Sequence, residues 1–293
     1  MKLKFWGVRG SIPSPDPETN KYGGNTTCLE IRTNNNDLIV IDGGTGIHKL
    51  AQELLTQMPI NAHILITHTH WDHIHGLPFC TPIYIAGNQL TFYGGQDLIT
   101  GQGIERTLTI QMQHSFFPIE ENELQADITY KTVKAHEVFK IADATITPIL
   151  LNHPVINFGY RIDCDGSSLF FTGDYEQPLN IYEPEDKAYA EFQMIIDERV
   201  AEIVESIKGV DVLIMDTSFT DEEYLLKKNW GHGTYTSAIE LAQKAEVKKL
   251  FFTHHEPTRT DTQLDEIYEQ LLHDYADVGF EFIMAQERLE VIF

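Results

Sequence analysis

Apolar and polar residues alternate from the first positions of the chain, where Leu3 and Phe5 alternate with Lys2 and Lys4 in a strand-like run. Residues 11–25 break that pattern with Pro13, Pro15, Pro17, Gly23 and Gly24 and read as a loop. Strands at 28–32 and 38–42 flank the Asn34-Asn35-Asn36-Asp37 turn and predict a hairpin. An amphipathic stretch at 47–57 predicts a helix, and 60–67 a strand that ends at the first of several histidines. A strand at 90–93 and a helix over 96–112 follow. Short strand-like runs recur at 128–133, 138–141, 145–151, 158–163 and 168–172, and the pattern then turns helical and acidic over 184–208. Strand 210–216, helix 234–245, strand 249–253, helix 261–276 and strands 280–284 and 287–292 complete the chain. Strands followed by helix, repeated once, predict an α/β fold of two sheets with helices outside. No shift of composition marks a linker, so residues 1–293 are expected to form a single domain with a helical, acidic insertion at about 176–208.

Composition narrows the class. Of 293 residues, 42% are apolar and 11% aromatic, which supports a real core and excludes a disordered chain. The formal net charge is −23. Nucleic-acid binders neutralise phosphates with basic patches, so this balance argues against a duplex-binding surface, and equally against an anionic membrane. A phosphate-bearing substrate would have to be drawn in by local charge, such as bound metal. Cys28, Cys80 and Cys164 are far apart, odd in number and outside any CxxC, so neither a disulfide framework nor a cysteine zinc site is expected. No run approaches the ~18–20 apolar residues of a membrane span, and no signal-peptide core follows Met1. A soluble, reducing, cytoplasmic setting is the expectation.

Four segments share one feature: a strand hands a His or an Asp directly to a loop. The first is Ile64-Leu65-Ile66-Thr67-His68-Thr69-His70-Trp71-Asp72-His73. His68 and His70, two apart after a strand, can point the same way because side chains alternate with period two. Asp72 and His73 then serve a second position, and imidazole with carboxylate suits Zn, Mn and Fe. A crowded surface loop is the bland alternative, which three histidines and an aspartate within six positions make poor. The other segments are Asn152-His153-Pro154, Thr172-Gly173-Asp174 and Thr253-His254-His255. Taken alone, His153 would be a structural histidine and Asp174 a turn residue.

In this order the motifs resemble the metallo-β-lactamase-fold hydrolases. Within them they look most like the phosphodiesterase branch, which includes tRNA 3′-processing endonucleases and cyclic-phosphate phosphodiesterases. The resemblance runs from Trp6-Gly7-Val8-Arg9-Gly10-Ser11 and Tyr22-Gly23-Gly24-Asn25-Thr26-Thr27-Cys28 to His254. It implies a four-layer αββα sandwich and two divalent metal ions, Zn first, with Mn or Fe also suited. His68, His70 and His153 would hold one metal, Asp72, His73 and His254 the other, and Asp174 would bridge them. His255 competes for the last position, but His254 directly follows the strand. His75 fits the ligand spacing less well. Asp42, in Ile41-Asp42-Gly43-Gly44-Thr45-Gly46, would orient a ligand histidine, since ligating imidazoles donate their other N–H to a carboxylate or carbonyl.

Trp230-Gly231-His232-Gly233-Thr234 is similar to the Gly-His-Ser-Thr element of the phosphodiesterase branch, with Gly233 in place of Ser. There the histidine contacts the scissile phosphate rather than a metal, and a nearby helix N-terminus adds N–H donors. A helix N-cap would explain Thr234 or Thr236 but not His232. Asp216, ending Leu213-Ile214-Met215-Asp216, resembles the acidic strand end that pairs with this histidine in tRNA-processing relatives, Asp here rather than Glu. The implied reaction is attack of a metal-bridging hydroxide on a phosphodiester. Asp72 would assist as a proton shuttle, and His232, held by Asp216, would stabilise charge or protonate the leaving oxygen.

The expected substrate is a small or cyclic phosphodiester, with no duplex nucleic acid and no membrane as partner. A homodimer is compatible, with the acidic insertion as interface or lid. Three other readings stay open. A tRNA 3′-processing-type endonuclease is disfavoured because nine Asp/Glu against three Lys/Arg fill 176–208, where such relatives carry a basic or Gly/Pro-rich arm. A lactone or thioester hydrolase would not need the Gly-His-Gly-Thr element. A di-iron redox or sensor module would lack an attached redox partner. Arg9 and Arg161 are candidates either for phosphate contact or for structural ion pairs.

Overall fold

In the computed structural model, which describes residues 1–293, period-two alternation sorts strand side chains to opposite faces. The first half forms β1 (Lys2–Gly7), β2 (Cys28–Arg32), β3 (Leu38–Ile41), α1 (Gly46–Leu54), β4 (Asn61–Leu65), α2 (Trp71–Ile74), β5 (Gln89–Gly94), α3 (Glu105–Gln111) and β6 (Asp127–Thr132). The second forms β7 (Phe139–Ile141), β8 (Ala144–Leu151), β9 (Asn157–Cys164), β10 (Ser167–Phe171), α4 (Tyr189–Ser206), β11 (Val212–Asp216), α5 (Asp221–Tyr224), α6 (Tyr235–Lys244), β12 (Lys249–Thr253), α7 (Asp261–Asp274), β13 (Glu281–Met284) and β14 (Glu290–Ile292).

Two seven-stranded sheets result, ordered β14-β1-β2-β3-β4-β5-β6 and β13-β12-β11-β10-β9-β8-β7. Both follow one scheme. An antiparallel meander, β1 to β3 or β7 to β10, feeds strands added in parallel, β4 to β6 or β11 to β13. Parallel neighbours need crossovers, and the helices supply them.

The alternation fixes the layers. Ile39 and Ile41 of β3 meet Val212 and Ile214 of β11 and Phe251 of β12 between the sheets. Leu38 and Val40 turn the other way, onto Ile47 and Leu50 of α1. Leu213, Met215, Leu250 and Phe252 pack under Ile239 of α6 and Leu264 of α7. Each such side chain, when fully buried, stabilises by about 1.5–3 kcal/mol. The order helix, sheet, sheet, helix is the expected four-layer αββα sandwich.

Two segments differ from the pattern read off the sequence. The helix expected over 96–112 forms only as α3, because the Asp97 carboxylate accepts the N–H of Ile99 at 2.8 Å and of Thr100 at 3.0 Å and so diverts the backbone into a turn. In 176–208 the helix occupies only Tyr189–Ser206, resting Ile196 and Ile203 against the body of the fold and contacting β8 and α6. Cys28, Cys80 and Cys164 are buried and free. No helix is long and apolar enough to cross a membrane.

One edge collects the chemistry. The C-terminal ends of β3, β4, β8, β10, β11 and β12 deliver Asp42, His68, His153, Asp174, Asp216 and His254 to the same side of the sandwich, the rim where open α/β sheets bind ligands.

Candidate metal centre

At two of these strand ends the backbone itself is bent to aim a side chain. Asp42 and His254 have φ of 62° and 59°, left-handed for residues that carry a Cβ, a conformation that costs on the order of 1–3 kcal/mol. The Asp42 carboxylate, fully buried, accepts from Thr67 N at 2.8 Å, Thr67 Oγ1 at 2.8 Å and His73 Nδ1 at 2.7 Å. That leaves Nε2 of His73 facing Asp174. Gly10 has the matching role for His254: a Cβ there would lie 2.3 Å from the His254 ring.

Asp174 is common to three groups of four side chains whose donor atoms lie within 4.8 Å of one another. The first group adds His68, His70 and His153; the second adds Asp72, His73 and His254; the third adds Asp216, His232 and His254. His68 Nε2 is 3.4 Å from Asp174 Oδ2, and His70 Nδ1 is 3.1 Å from His153 Nε2. On the other side, His73 Nε2 and His254 Nε2 lie 3.0 and 3.1 Å from Asp174 Oδ1, and 3.4 and 3.1 Å from Asp72 Oδ2.

These residues fit a pair of divalent cations. His68 Nε2, His73 Nε2 and Asp174 Oδ1 are buried without hydrogen-bond partners. Each such orphan costs about 1–3 kcal/mol, so three converging on one space mark atoms reserved for something other than each other. The opposite ring nitrogens are tied. His153 Nδ1 donates to Gly231 O at 2.9 Å, His254 Nδ1 meets Ser218 Oγ at 3.0 Å, and His68 Nδ1 meets Thr67 Oγ1 at 3.2 Å. Fixing the far nitrogen is how a protein orients a ligating imidazole. Nitrogen and carboxylate donors in this number suit Zn, Mn or Fe.

Electrostatics point the same way. Burial pushes His68, His70 and His153 down, His153 to about 4, so these rings are neutral and have a lone pair to give. Burial also disfavours charge on His73 and His254, but Asp174 and its neighbouring carboxylates outweigh it and raise both. Asp72 and Asp174 are held well below the usual carboxylate range, against their burial, by the histidines around them. Asp42, Asp72, Asp174 and Asp216 thus place four buried carboxylates in one neighbourhood, a field that attracts cations.

His232 stands against this cluster without duplicating its members. Its Nδ1 is 2.8 Å from Asp216 Oδ2 and 3.8 Å from Asp174 Oδ2, and its ring stacks on His254 at 4.8 Å. Asp216 is itself fixed by Ser218 Oγ at 2.8 Å and Tyr175 N at 3.2 Å. Burial lowers the affinity of His232 for a proton, but Asp216 more than compensates and raises it to about 9.

Other side chains fall outside. His255 turns away and meets Ala285 O through Nε2 at 2.8 Å, and burial drives it down to about 3. His75 bonds to Trp71 O and joins none of the groups. Arg9 is buried and spends its guanidinium on the carbonyls of Gly23, Glu256 and Arg259. Arg161 is paired with Asp163 and Ser206 O. Both arginines are structural.

Glu176 is a participant that motif reading misses. Its buried carboxylate accepts from Tyr224 Oη at 2.6 Å, Asn229 N at 2.7 Å and Gly231 N at 2.8 Å, and its backbone bridges Asn152. It therefore holds the loop that carries Gly231 O onto His153 and His232 onto Asp216. Gly231, at φ +91°, is required there, since a Cβ would lie 2.5 Å from His153 Nδ1. The only sequence signal was a carboxylate two positions after Asp174.

Compared with known families, residues 38–255 match the Beta-lactamase superfamily domain. The chain belongs to this superfamily. This superfamily member resembles the metallo-β-lactamase fold protein YhfI from Bacillus subtilis over 99% of its own length and 98% of the other, with a TM-score of 0.67 at 16% identity. It also resembles human tRNase Z, short form, over 100% and 99%, with a TM-score of 0.64 at 19% identity. Among curated relatives, Ribonuclease Z of Staphylococcus haemolyticus (strain JCSC1435) is 28% identical over 316 aligned residues, 97% of each chain. The superfamily member is a metal-dependent hydrolase of the metallo-β-lactamase fold.

One expectation is overturned. Charge argued against duplex nucleic acid as a partner and for a small phosphodiester as substrate, yet the relative is named Ribonuclease Z and the structural neighbour tRNase Z. The physical reason is that net charge sums a whole surface, whereas a phosphate is drawn by the field at the site, where buried metal-ready donors and local cations decide.

Proposed function

We propose that the protein is a phosphodiesterase with a binuclear metal centre that cleaves nucleotide phosphodiesters of RNA. His68, His70, His153 and Asp174 would hold one metal, and Asp72, His73, His254 and Asp174 the other. Bound there, divalent metals supply Lewis-acid polarisation of the phosphoryl oxygens and lower the pKa of water. The chain's own groups do the rest. Asp72, whose Oδ2 accepts from Ser11 N at 2.7 Å, is positioned to take a proton. His232 has its Nδ1 fixed on Asp216, so Nε2 is the nitrogen left to donate a proton to the leaving oxygen.

The observation that carries this reading is the His232–Asp216 pair set against the cluster at Asp174. A lactone or thioester hydrolase would not need it, whereas an alkoxide leaving from phosphorus needs a proton. The names of the relatives favour RNA as the substrate class. A second reading, a small or cyclic phosphodiester, is favoured by residues 176–208, which carry nine Asp/Glu against three Lys/Arg and rest α4 on the body of the fold through Ile196 and Ile203. Zinc- or manganese-reconstituted protein should hydrolyse bis-p-nitrophenyl phosphate, and Asp174→Ala should not. Wild-type protein that stays inert on that diester, on 3′-extended RNA and on cyclic nucleotides alike sinks the proposal.

A further inference from the structure

The loop that brings His232 to the centre shows a different face to solvent. Between α5 and Gly231 the chain reads Leu225-Leu226-Lys227-Lys228-Asn229-Trp230. Trp230 is 61% exposed, whereas Trp6 is buried in the core. An indole on a loose loop would be unremarkable, but here Asn229 N and Gly231 N, on either side of Trp230, are both bonded to Glu176, which also holds Tyr224 at the end of α5. The aromatic face is therefore presented in a fixed place, one residue from the Gly231 carbonyl that holds His153 and two from His232.

Lys227 adds charge at the same point. Its Nζ lies 4.3 Å from the Phe219 ring centroid and 5.9 Å from that of Trp230, and Phe219 in turn sits edge-on to His232 at 5.9 Å. Neither Lys227 nor Lys228 has a carboxylate within ion-pair distance, and the charge of Lys227 reaches Glu223, itself paired with Arg259 at 2.6 Å. Two free cations beside an exposed indole, on the rim of a site for phosphodiesters, match a nucleotide in charge and in shape. Base stacking on aromatic side chains with lysine or arginine along the backbone is how proteins grip unpaired strands.

We propose that Trp230 and Lys227 form a subsite for the nucleotide next to the scissile phosphate, with Trp230 stacking an unpaired base and Lys227 neutralising a flanking phosphate. The substrate at this position is then single-stranded, because a base already stacked within a duplex cannot lie on the indole. This inference rests on the phosphodiesterase reading of the site.

The test is fluorescence anisotropy of a labelled single-stranded oligouridylate with phosphorothioate linkages, which resist hydrolysis, on zinc-reconstituted full-length protein. Trp230→Ala should raise Kd about 10-fold, and Trp230→Phe should restore most of the loss. Lys227→Ala should reduce the slope of log K against log salt by about 0.7, the value for one phosphate of a single strand. The same strand annealed to its complement should bind more weakly and be insensitive to Trp230→Ala. A change in Kd under about twofold in Trp230→Ala, or an equal loss on the duplex, overturns the subsite, since stacking is worth more than that. Hydrolysis of bis-p-nitrophenyl phosphate by the wild type, measured in parallel, separates the two ideas. Its absence, together with inertness on 3′-extended RNA and on cyclic nucleotides, defeats the phosphodiesterase reading, whereas a wild type that cleaves a diester but does not bind the strand defeats the subsite alone.

Discussion

Replacing Glu176 by Gln changes almost no volume and removes one acceptor atom. The carboxylate serves three donors, Tyr224 Oη and Asn229 N on Oε1 and Gly231 N on Oε2. A glutamine can keep its carbonyl oxygen where Oε1 was, but its NH2 then faces the Gly231 N–H at about the present 2.8 Å, donor against donor. The buried Gly231 N–H is left without a partner, a cost of about 1–3 kcal/mol. Spread over the whole fold this lowers the melting temperature by about 2–4 °C per kcal/mol. Locally it frees Gly231, whose carbonyl orients His153 and whose neighbour is His232. Loss of such an orienting bond typically costs 10–100-fold in metal affinity, and a displacement of about 1 Å in a catalytic group costs about 100-fold in rate.

Glu176→Gln should therefore show three linked changes. Differential scanning fluorimetry should report a fall of about 2–12 °C. Metal competition against a chelator should report affinity lower by about 10-fold or more at one of the two positions. Turnover of bis-p-nitrophenyl phosphate at saturating metal should still fall by about 100-fold, mainly in kcat. The reasoning fails if the variant melts lower but keeps its metal affinity and kcat, because Glu176 would then be an ordinary buried carboxylate with no hold on the site.

Three further outcomes follow from the same geometry. His232→Ala should cut turnover by about 100-fold or more while metal content, read by mass spectrometry, is unchanged, with the larger loss on diesters whose leaving group is a poor one; equal losses on good and poor leaving groups would remove His232 as a proton donor. Gly10→Ala places a Cβ 2.3 Å from the His254 ring, so the ring must move, and metal retention should drop together with about 1–3 kcal/mol of stability; full metal occupancy would show that the ring has another place to go. Chelation should lower the melting temperature by more than about 5 °C, because ions that bind only the folded state at 100 times Kd contribute about 2.7 kcal/mol; an unchanged melting curve would mean that the buried carboxylates need no cation.

The sandwich was legible because its strands keep strict alternation: Ile39 and Ile41 face one way and Leu38 and Val40 the other, and no local signal contradicts them. The clustering of His68, His153, Asp174 and His254 follows from the same regularity, since each stands just past a strand whose C-terminal end reaches the common rim. Where the sequence misled, a side chain competed with the backbone, as Asp97 does at the start of the helix expected over 96–112. The roles of Glu176, Gly10 and Ser11 were unread for a different reason, although Gly10 and Ser11 stand within the Trp6–Ser11 motif. Glu176 acts on a loop more than 45 positions away, Gly10 acts by lacking a side chain, and Ser11 acts through its backbone N–H, so none shows in its side chain what it does.

The charge argument failed in a way that says where charge should be counted. Nine acidic residues of 176–208 weigh heavily in the formal net charge of −23, yet one of them, Glu176, is buried and hydrogen-bonded, and most of the others are exposed on or near α4. Interactions between exposed charges fade over about 8 Å at physiological ionic strength, so distant surface acids have little say at the metal centre. What a phosphate meets there is the field of the buried donors with whatever cations they hold, together with the unpaired Lys227 and Lys228 on the loop that Glu176 pins. A chain can therefore be acidic overall, as solubility favours, and still present a strand-binding rim, provided some of its unpaired cations stand within a Debye length of the reacting phosphorus.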